Sequence, residues 1–201
     1  MMMAKYYNST RPSDFMIDHF RAFGAATGDA FWMGAVDNVH KLVATIQSGP
    51  AMASGLLPDF VINTTTSPAP APANFLEDKT DGQYAYNSCR VPWRLVTDWV
   101  VSGDPRAKAE VDKIVKWIET KTGGDPSKIV DGYALSGTNQ GGGNDWSFEA
   151  PFGVAGIVDK SHQAWVDAVW KRMAAGSLDG YYGDSIKLLS MVVMSGNWWA
   201  P

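Results

Sequence analysis

The sequence predicts an all-α fold, a toroid of αα-hairpins, and three observations carry that expectation. Apolar residues recur at helical spacing through most of the chain. Gly28-Asp29 and Gly103-Asp104 join helices with almost no linker, glycine ending one helix and aspartate capping the next. Helices apolar nearly all round alternate with amphipathic ones, the pattern of an inner and an outer layer.

The first helix is expected from Ser13 to Gly28, with Pro12 and Ser13 as start signals and Met16, Phe20, Phe23 and Ala26 on one side. The second follows the Asp29 cap through Phe31, Trp32, Ala35, Val36, Val39, Leu42, Val43 and Ile46, and Gly49-Pro50 stops it. These two must fold as an antiparallel hairpin. A third helix, from about Ser88 to Ser102, is apolar nearly all round and belongs inside. The fourth opens at Pro105 and sets Val111, Ile114, Val115 and Ile118 against Lys108, Asp112, Lys116 and Glu119, so it belongs outside. A fifth helix is expected over about Ser147 to Val158. The sixth, Ser161 to Ala175, would bury Trp165, Val166, Val169 and Met173 and expose Lys171 and Arg172. The seventh, about Gly183 to Met194, reads as mostly buried.

In such a fold the inner helices run parallel, and their N-termini open on one mouth. The segments leading into them are TRPSD, the long Gly55–Asn87 loop, GGGNDWSFEAP and SLDGYYGD, all rich in acids, amides and aromatics. The turns at the other end are minimal, so the mouth is the expected functional face. Within the long loop, Thr64–Ala73 (TTTSPAPAPA) is expected to be extended and exposed, an insertion anchored by Phe60-Val61-Ile62 and Phe75-Leu76. The run Gly137–Asp145 lacks the Lys-Ser/Thr ending of a phosphate loop and reads as a flexible loop beside the substrate.

The chemistry concentrates at Glu77–Arg94. Asn87, Arg90, Val91 and Arg94 share one helical face, an unusual place for two arginines because unpaired buried charge is costly. Either they pair with Asp98 or other core acids, or they form a polar site set in an aromatic wall. The preceding loop offers Glu77, Asp78 and Asp81 as acids, and Tyr84 and Tyr86 as stacking surfaces. Tyr181 and Tyr182 offer more such surface, while Trp93 reads as core. Asp14, at the mouth of the first helix, either lines that mouth or caps its helix. Glu149 either pairs with an arginine or lines a subsite.

Composition narrows the classes. The chain's 201 residues are 45% hydrophobic, enough for a sizeable core, and nine tryptophans, seven tyrosines and eight phenylalanines suit flat ligands such as sugar rings. A formal charge of −4 without a basic cluster argues against nucleic acid. A single cysteine, Cys89, leaves no internal disulfide and reads as a small buried hydrophobe. His19, His40 and His162 form no metal motif, so neither metal nor cofactor is expected. No run reaches membrane-spanning length, and MMMAKYYNSTRPS does not read as a signal peptide.

Four blocks carry a resemblance: TRPSDFMIDHFRAF (Thr10–Phe23), GLLPDFV (Gly55–Val61), YNSCRVPWRLVTDWVVSGDPRAK (Tyr86–Lys108) and YYGDSIKLLSMVVMSGNW (Tyr181–Trp198). Together they resemble glycoside hydrolase family 8, inverting endo-β-glycanases of (α/α)6 architecture acting on cellulose, mixed-linkage β-glucan, xylan or chitosan. The resemblance implies that residues 1–201 are part of such a catalytic domain, its C-terminal half or somewhat more, with an inserted loop at about 63–86. Many members place an aspartate base where this chain has Asn87. In the subgroup with asparagine there, of the chitosanase and glucanase type, a glutamate on a loop ahead of that helix is the base, and Glu77 matches it. Asp78 and Asp81 are its rivals. The resemblance further implies roles for Asn87 in orienting water or a sugar hydroxyl and for Arg90 in holding Asn87 or Glu77. It implies that Asp14, Tyr84, Tyr86, Arg94, Tyr181 and Tyr182 bind a β-1,4-linked polysaccharide, chitosan or β-glucan. The family's general-acid glutamate has no match here. The expectation is therefore an extracellular enzyme whose barrel a second polypeptide or an N-terminal segment completes.

Overall fold

The computed structural model describes residues 6–199. Part of the stretch weighed as a leader, residues 1–5, lies outside the described residues. Seven α-helices follow in order: α1 Ile17–Thr27, α2 Ala30–Ser48, α3 Val91–Ser102, α4 Pro105–Thr122, α5 Trp146–Ala155, α6 Gln163–Ala175 and α7 Gly180–Met194. Helices α1, α3, α5 and α7 pack side by side as an inner row, and α2, α4 and α6 cover them from outside. This is the expected two-layer toroid, partly built. None of these helices is long and apolar enough to cross a membrane.

The tight turns form as the residue types require. The Asp29 carboxylate accepts from the Phe31 amide at 2.9 Å, and Asp104 accepts from the Arg106 amide at 2.9 Å, each satisfying a free N–H of a helix start. Helix α5 is buried from Ser147 to Ala155, so it runs through the core. Helix α4 buries Val111, Ile114, Val115 and Ile118; on its charged face Lys116 is exposed, while Lys108, Asp112 and Glu119 are half-buried, the two acids against His162.

Four expectations are corrected. The first helix starts at Ile17, not Ser13: Pro12–Asp14 form a separate 3-10 turn, and Phe15 and Met16 leave helical geometry, with ψ of 71° and 66°. That break lets Ser13 tuck in beneath α3. Helix α7 is not mostly buried, since it hides Gly183, Ile186, Ser190 and Val193 but leaves Leu188 62% exposed and Leu189 37% exposed. It is an inner-row helix with one flank uncovered. Arg172 is not free in solvent, because its guanidinium bonds both oxygens of the buried Glu149 at 2.6 and 3.1 Å. That contact settles Glu149 as half of an ion pair. Last, the Pro/Ala run is not simply extended and exposed. It contributes β3 (Ala69–Pro70) to a small antiparallel sheet with β2 (Val61–Ile62), which also pairs with β1 (Ser9–Thr10). Pro70 is tolerated because β3 is an edge strand.

A charge network fills the turn end. Asp98 of α3, with no exposed surface, takes Arg21 of α1 on both oxygens, at 2.6 and 3.0 Å. Arg21 also reaches Asp104 at 2.7 Å, and Arg106 joins Asp104 to Asp37. His40 of α2 bonds Glu110 through Nδ1 at 3.0 Å, while its Nε2 faces Asp98 at 3.6 Å, ion-pair distance but too long for a hydrogen bond.

Candidate active site

The loop carrying Glu77 is built around Asp81. This buried carboxylate accepts the backbone amides of Leu76, Glu77 and Asp78 at 2.7, 3.0 and 2.9 Å. Gly82 permits the fold, since a Cβ there would meet the Ala71 carbonyl oxygen at 2.1 Å. Asp81 is thus consumed by its own loop and leaves the contest for base. Asp78 accepts from the adjacent Lys79 amide at 2.5 Å. Glu77 projects to the rim, its side chain 44% exposed. One carboxylate oxygen accepts from Asn87 Nδ2 at 2.7 Å and the other from Arg11 Nη2 at 2.5 Å.

Asn87 is fixed from behind. The buried carboxylate of Asp59 accepts from the amides of Ala85, Asn87 and Ser88 and from the Ser88 hydroxyl, at 2.7–3.2 Å. Burial pushes the Asp59 pKa up, and the hydrogen bonds from Ser88, Ala85 and Asn87 oppose it. Arg90 donates to the Asn87 side-chain oxygen at 3.3 Å, to its carbonyl at 3.2 Å and to the Ser13 hydroxyl at 2.9 Å. Asn87 thereby receives from Arg90 and donates to Glu77. Its amide is oriented by its neighbours, N–H toward the carboxylate.

Arg94 donates to the Ser13 carbonyl at 3.3 Å and lies over the Trp93 ring at 4.0 Å. Burial, and then the neighbouring Arg90, lower its pKa. Neither arginine forms an ion pair among the described residues, and Asp98 is taken by Arg21. Of the two readings of these arginines, the core ion pairs do not form.

The tyrosines divide. Tyr84 is corrected: it is wholly buried among Tyr133, Phe148 and Phe152, its hydroxyl on the Cys89 carbonyl at 3.2 Å, so no ligand reaches it. Two residues on, Tyr86 faces outward, 46% exposed, with its ring edge-on to Phe148 and its hydroxyl on Asp131 at 3.3 Å. Burial, and then Asp145 and Asp131, push that hydroxyl up to about 12. Tyr182 donates to the Tyr86 carbonyl and so straps the start of α7 to the residue before Asn87. Tyr181 stands 92% exposed in solvent, and Asp14 is also exposed, ending its 3-10 turn without capping α1. Trp93 is core, and Cys89 is a buried thiol that burial pushes up to about 12.

The lead-in segments do meet at one mouth: Arg11 on Glu77, Ser13 under Arg90, Tyr182 on Tyr86, and the Trp146 amide on Asp179 at 3.2 Å. The Gly137–Asp145 run is tied in too, with Gly143 donating to Asp131 at 2.9 Å and Gln140 to the Gly132 carbonyl at 2.9 Å. Sequence reasoning missed Arg11, Ser13, Asp59 and Asp131. The first three sit inside the TRPSD and GLLPDFV blocks, where an acid or arginine amid apolar neighbours was the available signal. At the turn end, His40, Asp98 and Asp104 come within metal-ligand range of one another. Arg21 Nη2 already bonds the same oxygens of Asp98 and Asp104, so a guanidinium holds the place a cation would take.

No family model matches the chain. It is 48% identical to a beta-glucanase of Niallia circulans over 96% of its own length and 47% of that protein. It is 42% identical to an endoglucanase of Bacillus sp. (strain KSM-330), again over 96% of its length and 41% of the relative. The chain thus spans less than half the length of these curated relatives. Among solved structures, the apo beta-1,3-1,4-glucanase from Paenibacillus sp. X4 matches with TM-score 0.97 and 46% identity, covering all of this chain and 53% of that one. A GH8 xylobiose complex from Teredinibacter turnerae shares the fold at TM-score 0.76 and 19% identity, over 96% of this chain and 48% of the other. The fold is therefore a fragment of the (α/α)6 barrel.

Proposed function

We propose that this chain belongs to glycoside hydrolase family 8 and supplies the base side of an inverting endo-β-1,4-glycan hydrolase, a β-glucanase rather than a chitosanase. The observation that carries the reading is the placement of Glu77. Its carboxylate sits at the rim where the inner helices begin, gripped by Asn87 and Arg11 yet open on one side. In this role Glu77 takes a proton from a water attacking the anomeric carbon, while a glutamic acid from the remainder of the barrel protonates the leaving oxygen. The two carboxyl groups of an inverting pair stand roughly 6.5–9.5 Å apart to admit that water. Asn87, oriented by Arg90, steers the water or a sugar hydroxyl. Tyr86 offers an apolar ring face for a sugar, and Arg94 offers a guanidinium to its hydroxyls.

The choice of β-glucan follows the relatives, a beta-glucanase, an endoglucanase and a beta-1,3-1,4-glucanase, and a polymer of that size suits an enzyme acting outside the cell. The exposed Leu188 and Leu189 on α7, together with Phe23 of α1, fit a toroid whose remaining helices come from elsewhere in a longer chain or from a second polypeptide. The test is Glu77→Gln in the completed barrel. Turnover on mixed-linkage β-glucan should collapse while binding of the polysaccharide persists, and near-wild-type turnover would remove Glu77 from the role. The half-length match also favours a second reading, a non-catalytic sugar-binding half-barrel. Reducing ends released by this chain alone would exclude it.

A further inference from the structure

Arg11 has no part in the expectations drawn from sequence, yet it makes the shortest contact to Glu77. It lies one residue beyond β1, which pairs with β2 and so brings the TRPSD segment alongside Phe60. The Arg11 guanidinium carbon stands 5.1 Å from the centre of the Phe60 ring, and Phe60 is 4% exposed. Another neighbour of that ring is Phe75, at 6.0 Å, on the stretch leading to Glu77. Phe60 is itself tied to the loop through its amide, which donates to the Asp81 carbonyl at 2.9 Å, and its carbonyl, which accepts from Ala71 at 2.9 Å. The planar guanidinium is thus laid on a fixed aromatic face with its Nη2 aimed at Glu77 Oε1.

Three restraints therefore meet on Glu77. Asp81 holds its backbone amide, Asn87 holds Oε2, and Arg11 holds Oε1. The first two fix where the side chain leaves the loop and one edge of its carboxylate. A carboxylate held by one oxygen still turns about its terminal torsion, which is broad and soft. The third, Arg11 on the other oxygen, removes that freedom. Each oxygen keeps a further lone-pair direction for a water, since a carboxylate offers about four acceptor sites.

We infer that Arg11 is a positioning residue for the proposed base: stacked on Phe60, it locks the plane of the Glu77 carboxylate so that a free lone pair meets the attacking water. The inference rests on Glu77 being the base. It separates Arg11 from an ordinary stabilising ion pair, because both partners are well exposed, at 32% and 44%, and such a pair contributes little to folding.

The experiment uses the completed barrel with soluble mixed-linkage β-glucan and compares Arg11→Gln, Arg11→Lys, Glu77→Gln and the double variant Arg11→Gln/Glu77→Gln. Misplacing a reacting group by about 1 Å costs up to roughly 100-fold in rate. Arg11→Gln should therefore lower kcat roughly 10- to 100-fold with KM within about twofold and an unchanged melting temperature. Arg11→Lys, which keeps a cation on Glu77 but loses the planar fork laid on Phe60, should recover only part of that loss. The double variant should be no slower than Glu77→Gln alone, since there is no base left to aim. A kcat for Arg11→Gln within twofold of wild type would overturn the inference. So would a loss carried by KM, which would make Arg11 a substrate contact, or one that tracks a fall in melting temperature. Failure of the underlying reading looks different: Glu77→Gln would then itself stay near wild type. If Glu77→Gln is inactive and Arg11→Gln is not, only the role of Arg11 fails.

Discussion

The two ends of the helical stack hold similar residues in opposite states. At the turn end, Asp98 is sealed from solvent and bonded by Arg21 on both oxygens, with His40 and Asp104 closing the group. At the mouth, Arg90 and Arg94 form no ion pair among the described residues, with only Asp18 and Asp14 acting on Arg94 from a distance; the Glu77 carboxylate is half in solvent and reaches Arg90 only through Asn87. A buried charge whose valences are filled holds a structure together; a charge left with open valences costs stability and is available for chemistry. The difference also explains why arginines on an inner helix are tolerated at one end without ion pairs: backbone oxygens, Ser13 and the Trp93 ring take their place.

The sharpest break between the ends should come from removing one carboxylate at each. Glu77→Gln in the completed barrel should lower turnover by roughly 10²–10⁴-fold, the usual contribution of a general base, and leave the denaturation midpoint unmoved. Asp98→Ala should do the reverse, costing about 3–5 kcal/mol in chemical denaturation because Arg21 and His40 lose their buried counter-charge. A mouth variant that melts early, or a turn-end variant that loses turnover while remaining as stable as wild type, would erase the distinction.

pH offers a milder probe of the turn end. Burial works to lower the His40 pKa, but Asp98 and Glu110 outweigh it and raise the group from 6.5 to about 9. The ring faces Glu110 from α4, Asp104 from its N-cap, Asp98 from α3, and the Arg106 and Arg21 guanidiniums behind them. Burial also raises Glu110 despite the imidazole; the direction for His40 is the firmer one, because three carboxylates converge on a single ring. A group raised in the folded state stabilises fully below its unfolded pKa and loses that contribution as pH climbs through the folded value. Stability should therefore fall between pH 6.5 and about 9, by at most about 3 kcal/mol. His40→Asn should flatten the thermal-melting profile across that window. The smallest effect belongs to the mouth: Tyr182→Phe removes the donor to the Tyr86 carbonyl and should cost about 0.5–1.5 kcal/mol, with a rise in KM as α7 loosens from the rim.

Much of this was legible without coordinates because the helical signals are local. The Asp29 and Asp104 caps, the Gly28 and Gly103 stops and the apolar stripe of α4 are set by residues within a turn or two of each other, and they form where the sequence places them. The long lead-in segments likewise marked the mouth, and Glu77, Asn87 and Arg90 do come together there. Spacing could not say which tyrosine faces inward, and Tyr84 and Tyr86 were equal on paper. The bridge between Tyr84 and Tyr133 turns one side chain into the core and leaves the other at the rim. Nor could it say that α7 keeps a bare flank, because burial depends on neighbours that the helix does not itself encode.

The sequence alone determined the helices, their layering and the end at which polar residues gather, since each follows from short-range backbone chemistry and periodic burial. Only the tertiary structure decided which acid is spent and which is free. Asp81 and Glu77 sit four residues apart with the same functional group, and three backbone amides closing on one of them send the other to meet Arg11 and Asn87. That choice depends on hydrogen-bond geometry between segments up to 66 residues apart, which no local pattern records.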